Sequence, residues 1–190
     1  MTLIAGIDPG AGGAVALYDS NTRRLIGMHD VPFWHQTIGK KKRKRVDPIG
    51  LRELFDTLQM MSVELVVMEA VGARPSQSGM FAFGYAVGLI YMSCMYSDLM
   101  VETVPPKRWK KMLNVSGKEK AETDDIIYRA DELFPHDRHL WRGPKGGKLL
   151  DRAEAAMLAK FGGDFVLPTM GPFKDDAEFR LAYRNAETGA

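Results

Sequence analysis

Four carboxylates stand where the sequence otherwise predicts buried structure. Asp8 ends the apolar run LIAGID, Glu69 ends VELVVME, and Asp151 with Glu154 opens the last strongly apolar helix. A charge removed from water is costly unless a partner compensates it. Asp151 and Glu154 are three residues apart and therefore share one helix face. If that face lies over the ends of the two strands, the four carboxylates repel one another and need added cations.

Carboxylate oxygens are hard ligands that suit Mg²⁺ or Mn²⁺. Two such ions, about 3.5 to 4 Å apart, assist in-line displacement at phosphorus, one by activating a water and the other by stabilising the leaving 3′ oxygen. The residue types therefore indicate metal-dependent hydrolysis of a phosphodiester.

Each carboxylate also has a simpler interpretation. Asp8, followed by Pro and Gly, could initiate a turn. Asp151 could serve the dipole of its helix, and Glu154 could pair with a neighbouring basic side chain. Glu69 could reach water at its strand end. The four acids in this order, each embedded in apolar sequence, favour a shared site.

The spacing of hydrophobic residues predicts the strands and helices that must position these acids. Three short apolar runs separated by turn residues, TLIAGID, GAVALYD and RLIGMHDV, predict an antiparallel meander. VDPIGLRELFDTLQMM has helical period, and ELVVMEA is typical of a strand covered on both faces. An uncharged helix from about Gln77 to Ser97 and the strand in LMVETVPP follow, and this succession favours a right-handed crossover with parallel pairing. Three further helices are predicted in PPKRWKKML, GKEKAETDDIIYRADELFP and LLDRAEAAMLAKFG.

We therefore expect an α/β fold with a five-stranded mixed sheet, three antiparallel strands followed by two parallel ones, and helices on both faces. Residues 1–162 form the predicted domain, and residues 163–190 form an appendage with one short helix near Lys174 to Arg184. The strand ends that carry Asp8 and Glu69 lie near the point where strand order reverses, the usual ligand site of open sheets.

Composition is that of one soluble globular domain: 190 residues, 45% hydrophobic and 26% charged, with a net charge of +2. The single cysteine, Cys94, allows no internal disulfide, and the N-terminus has no basic region of a secretory signal. A reducing compartment is expected: the cytoplasm, or the nucleus or an organelle in a eukaryote. Residues 75–97 carry no charge, and a buried helix is favoured there over a membrane span.

Three motifs carry a resemblance to a known family. GIDPG at the end of the first strand, VVMEA before the long helix, and DRAEAAMLA resemble the RuvC-type Holliday junction resolvases of the ribonuclease H-like superfamily, over about residues 2 to 162. The resemblance implies a nuclease that nicks four-way DNA junctions in pairs and leaves 5′-phosphate and 3′-hydroxyl ends. It also implies that Asp8, Glu69, Asp151 and Glu154 bind two Mg²⁺ ions, which Mn²⁺ could replace. The small size would suit a phage or viral version.

The family pattern has departures in this chain. The last acidic position is usually Asp and is Glu154 here, and a family aromatic residue after the strand-end glutamate is replaced by Gly72. In the family this aromatic residue is thought to probe the DNA junction as a wedge, and Phe81 or Phe83 could supply that wedge here.

Lysines and one helix are also implicated by the resemblance. The segment PPKRWKKMLNVSGKEKAE resembles the family's phosphate-contacting lysine segment, with Lys120 as first candidate and Lys107 as second. Solvated helix lysines are the alternative interpretation. The long apolar helix, with Gly84 and Gly88, corresponds to the family's dimer helix, and a helix apolar on all sides supports a homodimer.

Six consecutive cations form a basic run between the third strand and the first helix: Lys40, Lys41, Lys42, Arg43, Lys44 and Arg45. The run has no strong periodicity, so a mobile segment that contacts DNA phosphates is predicted. A nuclear localisation signal and a plain solvated loop are the alternatives.

A second basic segment interleaves an aromatic residue with cations just before Asp151: Arg138, Trp141, Arg142, Lys145 and Lys148. We expect this loop, Arg142 and Lys145 above all, to lead DNA toward the acids.

Other functions stay open. A nuclease of the same fold could act on a flap or an RNA-containing duplex. GIDPGAGG also resembles the first phosphate loop of sugar kinases and actin-like ATPases, but these need two such domains and the chain is too short. A binding module without catalysis would use only the basic segments, and four mutually repelling acids would hinder its grip on phosphate.

Overall fold

The computed structural model describes residues 1–70, 72, 79–115, 122–143 and 147–170. Seven strands are present in this part of the chain: β1 (Leu3–Asp8), β2 (Ala14–Asp19), β3 (Arg24–Asp30), β4 (Phe33–Ile38), β5 (Lys41–Val46), β6 (Val63–Glu69) and β7 (Val101–Val104). The same part contains five α-helices: α1 (Pro48–Met60), α2 (Met80–Tyr96), α3 (Pro106–Met112), α4 (Glu122–Leu133) and α5 (Leu150–Phe161). Lys120, Lys145, the first turn predicted for the long helix and the short helix predicted near the C-terminus lie outside the described residues.

Five strands form the central sheet in the order β3-β2-β1-β6-β7. β1 pairs with β2, and β2 with β3, in antiparallel register, whereas β6 runs parallel to both β1 and β7. The predicted fold class, with its antiparallel meander followed by two parallel strands, is confirmed.

The sheet has a hydrophobic core on each face because successive strand side chains alternate. Leu3, Ala5 and Ile7 of β1 point into the core beneath α1 and α2, whereas Ile4 points into the core beneath α4 and α5. The apolar runs that form β1, β2 and β6 are therefore strands that are covered on both sides, whereas β3 at the edge of the sheet is largely exposed.

Helix α5 lies unusually close to β1 at Gly6. A Cβ added there would come within 2.2 Å of the main-chain oxygen of Ala155 and the main-chain nitrogen of Ala159. Only a glycine on the strand and small residues on the helix permit this approach. The contact brings the start of α5, with Asp151 and Glu154, over the end of β1, where Asp8 stands.

The basic run is a strand, and the prediction of an aperiodic mobile segment was wrong. Residues Lys41–Val46 form β5, which pairs along its whole length with β4 in a separate two-stranded sheet, with Gly39 and Lys40 in the turn. This strand could not be recognised from the sequence, because KKRKRV lacks the usual alternation of apolar and polar residues. We name β4 and β5 together the basic hairpin.

Helix α2 packs one side on the sheet through Ala86, Ile90 and Cys94. Its other side leaves large apolar side chains exposed: Phe81, Tyr85, Met92, Met95 and Tyr96. Within the described residues, no helix has the length and apolar character that crossing a membrane requires.

The chain after α5 continues in a π-helical turn, Gly162–Val166, and a 3-10 turn, Leu167–Thr169. A Cβ at Gly162 would meet side-chain atoms of Val67 and Ile4 at 2.6 and 2.7 Å, so this turn lies directly on the sheet. The division between residues 1–162 and 163–190 stays a prediction.

Candidate metal centre

Three of the four acids converge at the end of β1. Asp8, Asp151 and Glu154 each offer a carboxylate oxygen, and these oxygens all lie within 4.8 Å of one another. Asp8 ends β1, and the two other acids lie in the first turns of α5, which the close packing at Gly6 holds against that strand. The side chains of Asp8 and Glu154 are partly buried, and Asp151 is exposed.

Glu69 stands next to this group without joining it. Ile7 pairs with Met68 across the parallel strands, so Asp8 and Glu69 end neighbouring strands. The Glu69 Oε2 atom accepts a hydrogen bond of 2.9 Å from Nε1 of Trp109, a fully buried residue of α3. The indole thus fixes the glutamate beside the three converging acids.

Among the described residues, negative charge exceeds positive charge around this group of acids, and the pKa values of the acids reflect this. Burial, followed by the negative charges of the other three acids, raises the pKa of Asp8 from 3.8 to about 9. Burial also raises the pKa of Asp151, which shares a hydrogen bond with Asp8. Without an added cation, this pair of acids therefore keeps a proton at neutral pH.

One lysine enters the centre. Lys110 Nζ lies 3.5 Å from Glu154 Oε1, and both side chains are largely buried. Burial raises the pKa of Glu154 to about 7 even though Lys110 opposes this shift. Among the described residues, this one ammonium group thus does not neutralise the carboxylates around it.

Two clefts open at the centre, one at each end. A cleft of about 160 Å³ lies beside Asp151 and is bordered by the basic hairpin and the β1–β2 turn. A wider cleft of about 440 Å³ lies beside Glu69 and is bordered by Gly84 and Gly88 of α2. The acids are therefore open to the surroundings at Asp151 and at Glu69.

Several other predicted residues lie away from the acids or have partners. Lys107 is exposed on α3 and makes no described contact with the acids. Arg142 forms an ion pair with Asp131 on α4. Trp141 was expected to face DNA, and that was wrong: it is fully buried and donates to the same aspartate at 3.0 Å. An aromatic residue in a basic loop here anchors the loop to the core.

The candidate wedges differ in exposure. Phe81, in the first turn of α2, is 90% exposed. Phe83 is half-buried, and a Cβ added at Gly10 in the β1–β2 turn would lie 3.4 Å from its ring. Gly72 is exposed with no neighbouring atom within 4 Å of an added Cβ.

Sequence reasoning missed Trp109 and Lys110. Both lie in KRWKK, where only the solitary tryptophan among cations signals that one face of a short helix is buried. Neither partner could be read from spacing, because Trp109 meets Glu69 and Lys110 meets Glu154 only through the tertiary fold.

A divalent metal ion fits this arrangement. All donors are carboxylate oxygens, they converge, and burial has raised the pKa of three of them, so a cation would relieve the repulsion. Asp8, Asp151 and Glu154 would hold such an ion, with Glu69 adjacent.

No protein-family model and no curated protein sequence matches this chain. Solved structures do match. RuvC from T. thermophilus, in complex with a Holliday junction substrate, has a TM-score of 0.59 at 13% identity, covering 88% of this chain and 97% of that one. The yeast mitochondrial Holliday junction resolvase has a TM-score of 0.53 at 16% identity, covering 83% of this chain and 76% of that one. The protein therefore has the fold of the RuvC-type Holliday junction resolvases.

Proposed function

We propose that this protein is a metal-dependent endonuclease that resolves four-way DNA junctions by paired nicking. The observation that carries the proposal is the convergence of Asp8, Asp151 and Glu154, with Glu69 beside them, in a fold that a junction-bound resolvase also has. Among the described residues only Lys110 forms an ion pair with this cluster of acids, whereas a purely structural cluster would be fully paired with bases. The cluster also keeps raised pKa values and opens to two clefts.

The chain's own residues have separable roles in this mechanism. The three converging acids, completed by Glu69, would hold two Mg²⁺ ions, for which Mn²⁺ could substitute. When bound, these ions supply Lewis-acid stabilisation for the charge that develops on the phosphate. Trp109 holds Glu69 in place by its hydrogen bond, and Lys110 supplies a fixed positive charge at Glu154.

DNA binding in this proposal relies on the basic hairpin. Five of its six cations are exposed, and Arg45, which donates to Gln36, is half-buried. A two-stranded sheet without a buried face gains little from folding alone, so its stability fits a role in gripping phosphate. Lys107, Lys120, Arg142 and Lys145 are proposed as further contacts to the DNA backbone.

The second copy that paired nicking requires is proposed to dock on α2. Its exposed apolar side chains include Tyr85 and Met92, and an added Cβ at Gly84 or Gly88 would meet nothing within 4 Å. The glycines therefore leave room for another backbone to approach. Tyr85→Asp is expected to convert a dimer into a monomer in sedimentation experiments, whereas Ile49→Asp, a matched change on exposed α1, is not.

A cleavage assay tests the proposed activity. Labelled four-way junction, flap and linear duplex are incubated with the protein in Mg²⁺ and in EDTA. We expect paired nicks in the junction, with Mg²⁺ only, and loss of cutting by roughly a thousandfold or more in Asp8→Asn, with junction binding retained.

The matched control is Asp56→Asn, because Asp56 is a half-exposed aspartate of α1 that pairs only with Arg52 among described residues. This variant should cut as the unaltered protein does. Absence of cutting on every branched DNA, or cutting by Asp8→Asn at the unaltered rate, would contradict the proposal.

A further inference from the structure

The smaller cleft of the centre has walls from four parts of the chain. They are the β1–β2 turn, the end of β3 with the residues that follow it, the basic hairpin and the start of α5. Gly12, Lys44 and Asp151 stand on three of these walls. The cleft has a volume of about 160 Å³, which leaves room for a phosphate group.

The basic hairpin turns only one face toward this cleft. His35 lies directly opposite Lys44 in the antiparallel pairing, and Trp34 lies opposite Arg45. Since side chains alternate along a strand, Lys44 shares a face with Phe33 and His35, whereas Lys41, Arg43 and Arg45 lie on the other face. Phe33 and Lys44 both line the cleft, so their face is the one directed at the acids.

The two cations of the cleft differ in their partners. Arg152 forms two hydrogen bonds with Asp30, of 2.6 and 2.7 Å, and a third with the main-chain oxygen of Leu140. Its guanidinium is thereby occupied. Lys44 makes no ion pair within the described residues, and its Nζ rests 4.1 Å from the centroid of the Phe33 ring. An anion entering the cleft would therefore meet Lys44 as its counter-charge.

Lys44 lines the same cleft as Asp30 and Asp151. It therefore faces the acidic centre from the side of the basic hairpin, whereas Lys110 of α3 pairs with Glu154.

Gly12 keeps the path between Lys44 and Asp151 open. A Cβ built on it would meet only Asp151 Oδ2, at 3.8 Å, so the protein itself has room for a side chain there. Gly13 differs, because its added Cβ would come within 2.1 Å of the main-chain oxygen of Asp8. Packing explains the glycine at position 13 and leaves the one at position 12 without a structural reason.

We propose that this cleft binds the DNA phosphate next to the one that is cut, with Lys44 as its counter-charge and Gly12 leaving room for the backbone. The inference rests on the proposed nuclease function and gives one face of the basic hairpin a role of its own, which is to hold the substrate strand against the acids. The other cations of the hairpin bind more distant phosphates.

Ethylation interference on a four-way junction tests the phosphate contact directly. Proteins carrying Asp8→Asn are used throughout so that the DNA stays intact. Ethylation removes the charge of one phosphate and should block binding at the phosphate beside the cutting site. In Lys44→Gln this single interference should disappear, whereas Lys41→Gln, the same change on the opposite hairpin face, should lose interference elsewhere.

Single-turnover cutting by proteins with Asp8 intact provides the second measurement. Lys44→Gln and Gly12→Leu should slow the cutting of bound junction by about tenfold. Gly12→Ala should have little effect, because its methyl group fits. Lys111→Gln, an exposed lysine of α3 outside both clefts, is the matched control.

The outcomes separate the two proposals. If the unaltered protein cuts no DNA but the interference depends on Lys44, the nuclease function fails and the phosphate site stands. If Lys44→Gln keeps the unaltered interference pattern and cutting rate, the phosphate site is overturned while the nuclease function stands.

Discussion

Two aspartates that are withdrawn from water show how differently this fold treats negative charge. Asp131 on α4 is 8% exposed, and its carboxylate accepts from Trp141 and pairs with Arg142. Burial alone would raise its pKa, but these hydrogen bonds prevail and leave it lowered. Among the described residues Asp8 has no such donors, and burial with three neighbouring acids raises its pKa to about 9.

The difference teaches which carboxylate is structural and which is available for a ligand. Asp131 already has its cation, and Arg138 donates to its main-chain oxygen as well. It ties the loop before α5 to α4. No described residue forms an ion pair with Asp8, so an added cation would supply its counter-charge. Stability should thus depend on Asp131, and activity on Asp8.

The largest effect on stability is expected at Asp131. Asp131→Asn removes the charge that holds Arg142, and we expect the free energy of unfolding to fall by about 2 kcal/mol, the value of hydrogen bonds to a charged group. Urea denaturation measures it. Below the unfolding transition, junction cutting should be unchanged, and a specific loss of cutting would break the contrast between the two aspartates.

At the acidic centre, we expect a substitution to raise the free energy of unfolding instead of lowering it. At neutral pH the folded protein must keep a proton at Asp8 that the unfolded chain releases, and Asp8→Asn removes this requirement, so the metal-free protein should gain about 1 kcal/mol of stability. The melting temperature in EDTA should rise, and the further rise that Mg²⁺ gives the unaltered protein should shrink. A variant less stable than the unaltered protein in EDTA would show that Asp8 is already compensated.

The dependence of stability on pH should distinguish the two aspartates again. The pKa of Asp8 in the folded protein, about 9, exceeds its ordinary 3.8, so the folded state keeps a proton that the unfolded chain releases. This contribution is complete below pH 3.8 and is lost as pH rises through about 9. Metal-free protein should therefore lose stability toward alkaline pH, and Asp8→Asn should flatten that slope.

Asp131 contributes with the reverse sign. Its pKa is lowered, so its stabilisation is present above the ordinary value and lost as pH falls through the lowered one. Asp131→Asn should flatten only the acid side of the profile. Urea denaturation in EDTA across the pH range measures both slopes, and identical profiles for the two variants would refute the distinction.

The sequence predicted the acids of this comparison better than their surroundings. Asp8 and Glu69 could be placed together because apolar runs predict strands. Parallel neighbouring strands end at the same edge of the sheet, as β1 and β6 do. Gly6 brings α5 onto β1, but nothing in LIAGID shows that a helix must approach there. The spacing of hydrophobic residues within one segment does not show which distant segment packs closely against it.

The basic hairpin and the tryptophans were missed for related reasons. β5 gains its strand form from pairing with β4, so six consecutive cations carried no local sign of it. Trp141 in a loop of cations is typical of a nucleic-acid surface, yet Asp131 draws its indole into the core. A solitary aromatic among charges does not reveal by itself whether it faces a ligand or an internal carboxylate.

The two indoles offer the most closely matched comparison, since each donates one hydrogen bond to a carboxylate. Trp109 donates to Glu69 at 2.9 Å and Trp141 to Asp131 at 3.0 Å, and both rings are fully buried. Substitution by Phe removes the donor and leaves a similar small void in each case, so the loss of packing should be comparable.

The rate of DNA cutting should distinguish the two tryptophan substitutions, although their losses of packing are similar. In Trp109→Phe, Glu69 loses its fixed position, and cutting should slow by about fivefold, which is what one hydrogen bond of about 1 kcal/mol is worth. Higher Mg²⁺ should restore part of the rate. In Trp141→Phe the rate and its Mg²⁺ dependence should stay unchanged while stability falls. Equal effects of both substitutions on Mg²⁺ dependence would mean that Asp131 and Glu69 belong to one network, because only a shared network lets a structural carboxylate report on the metal centre.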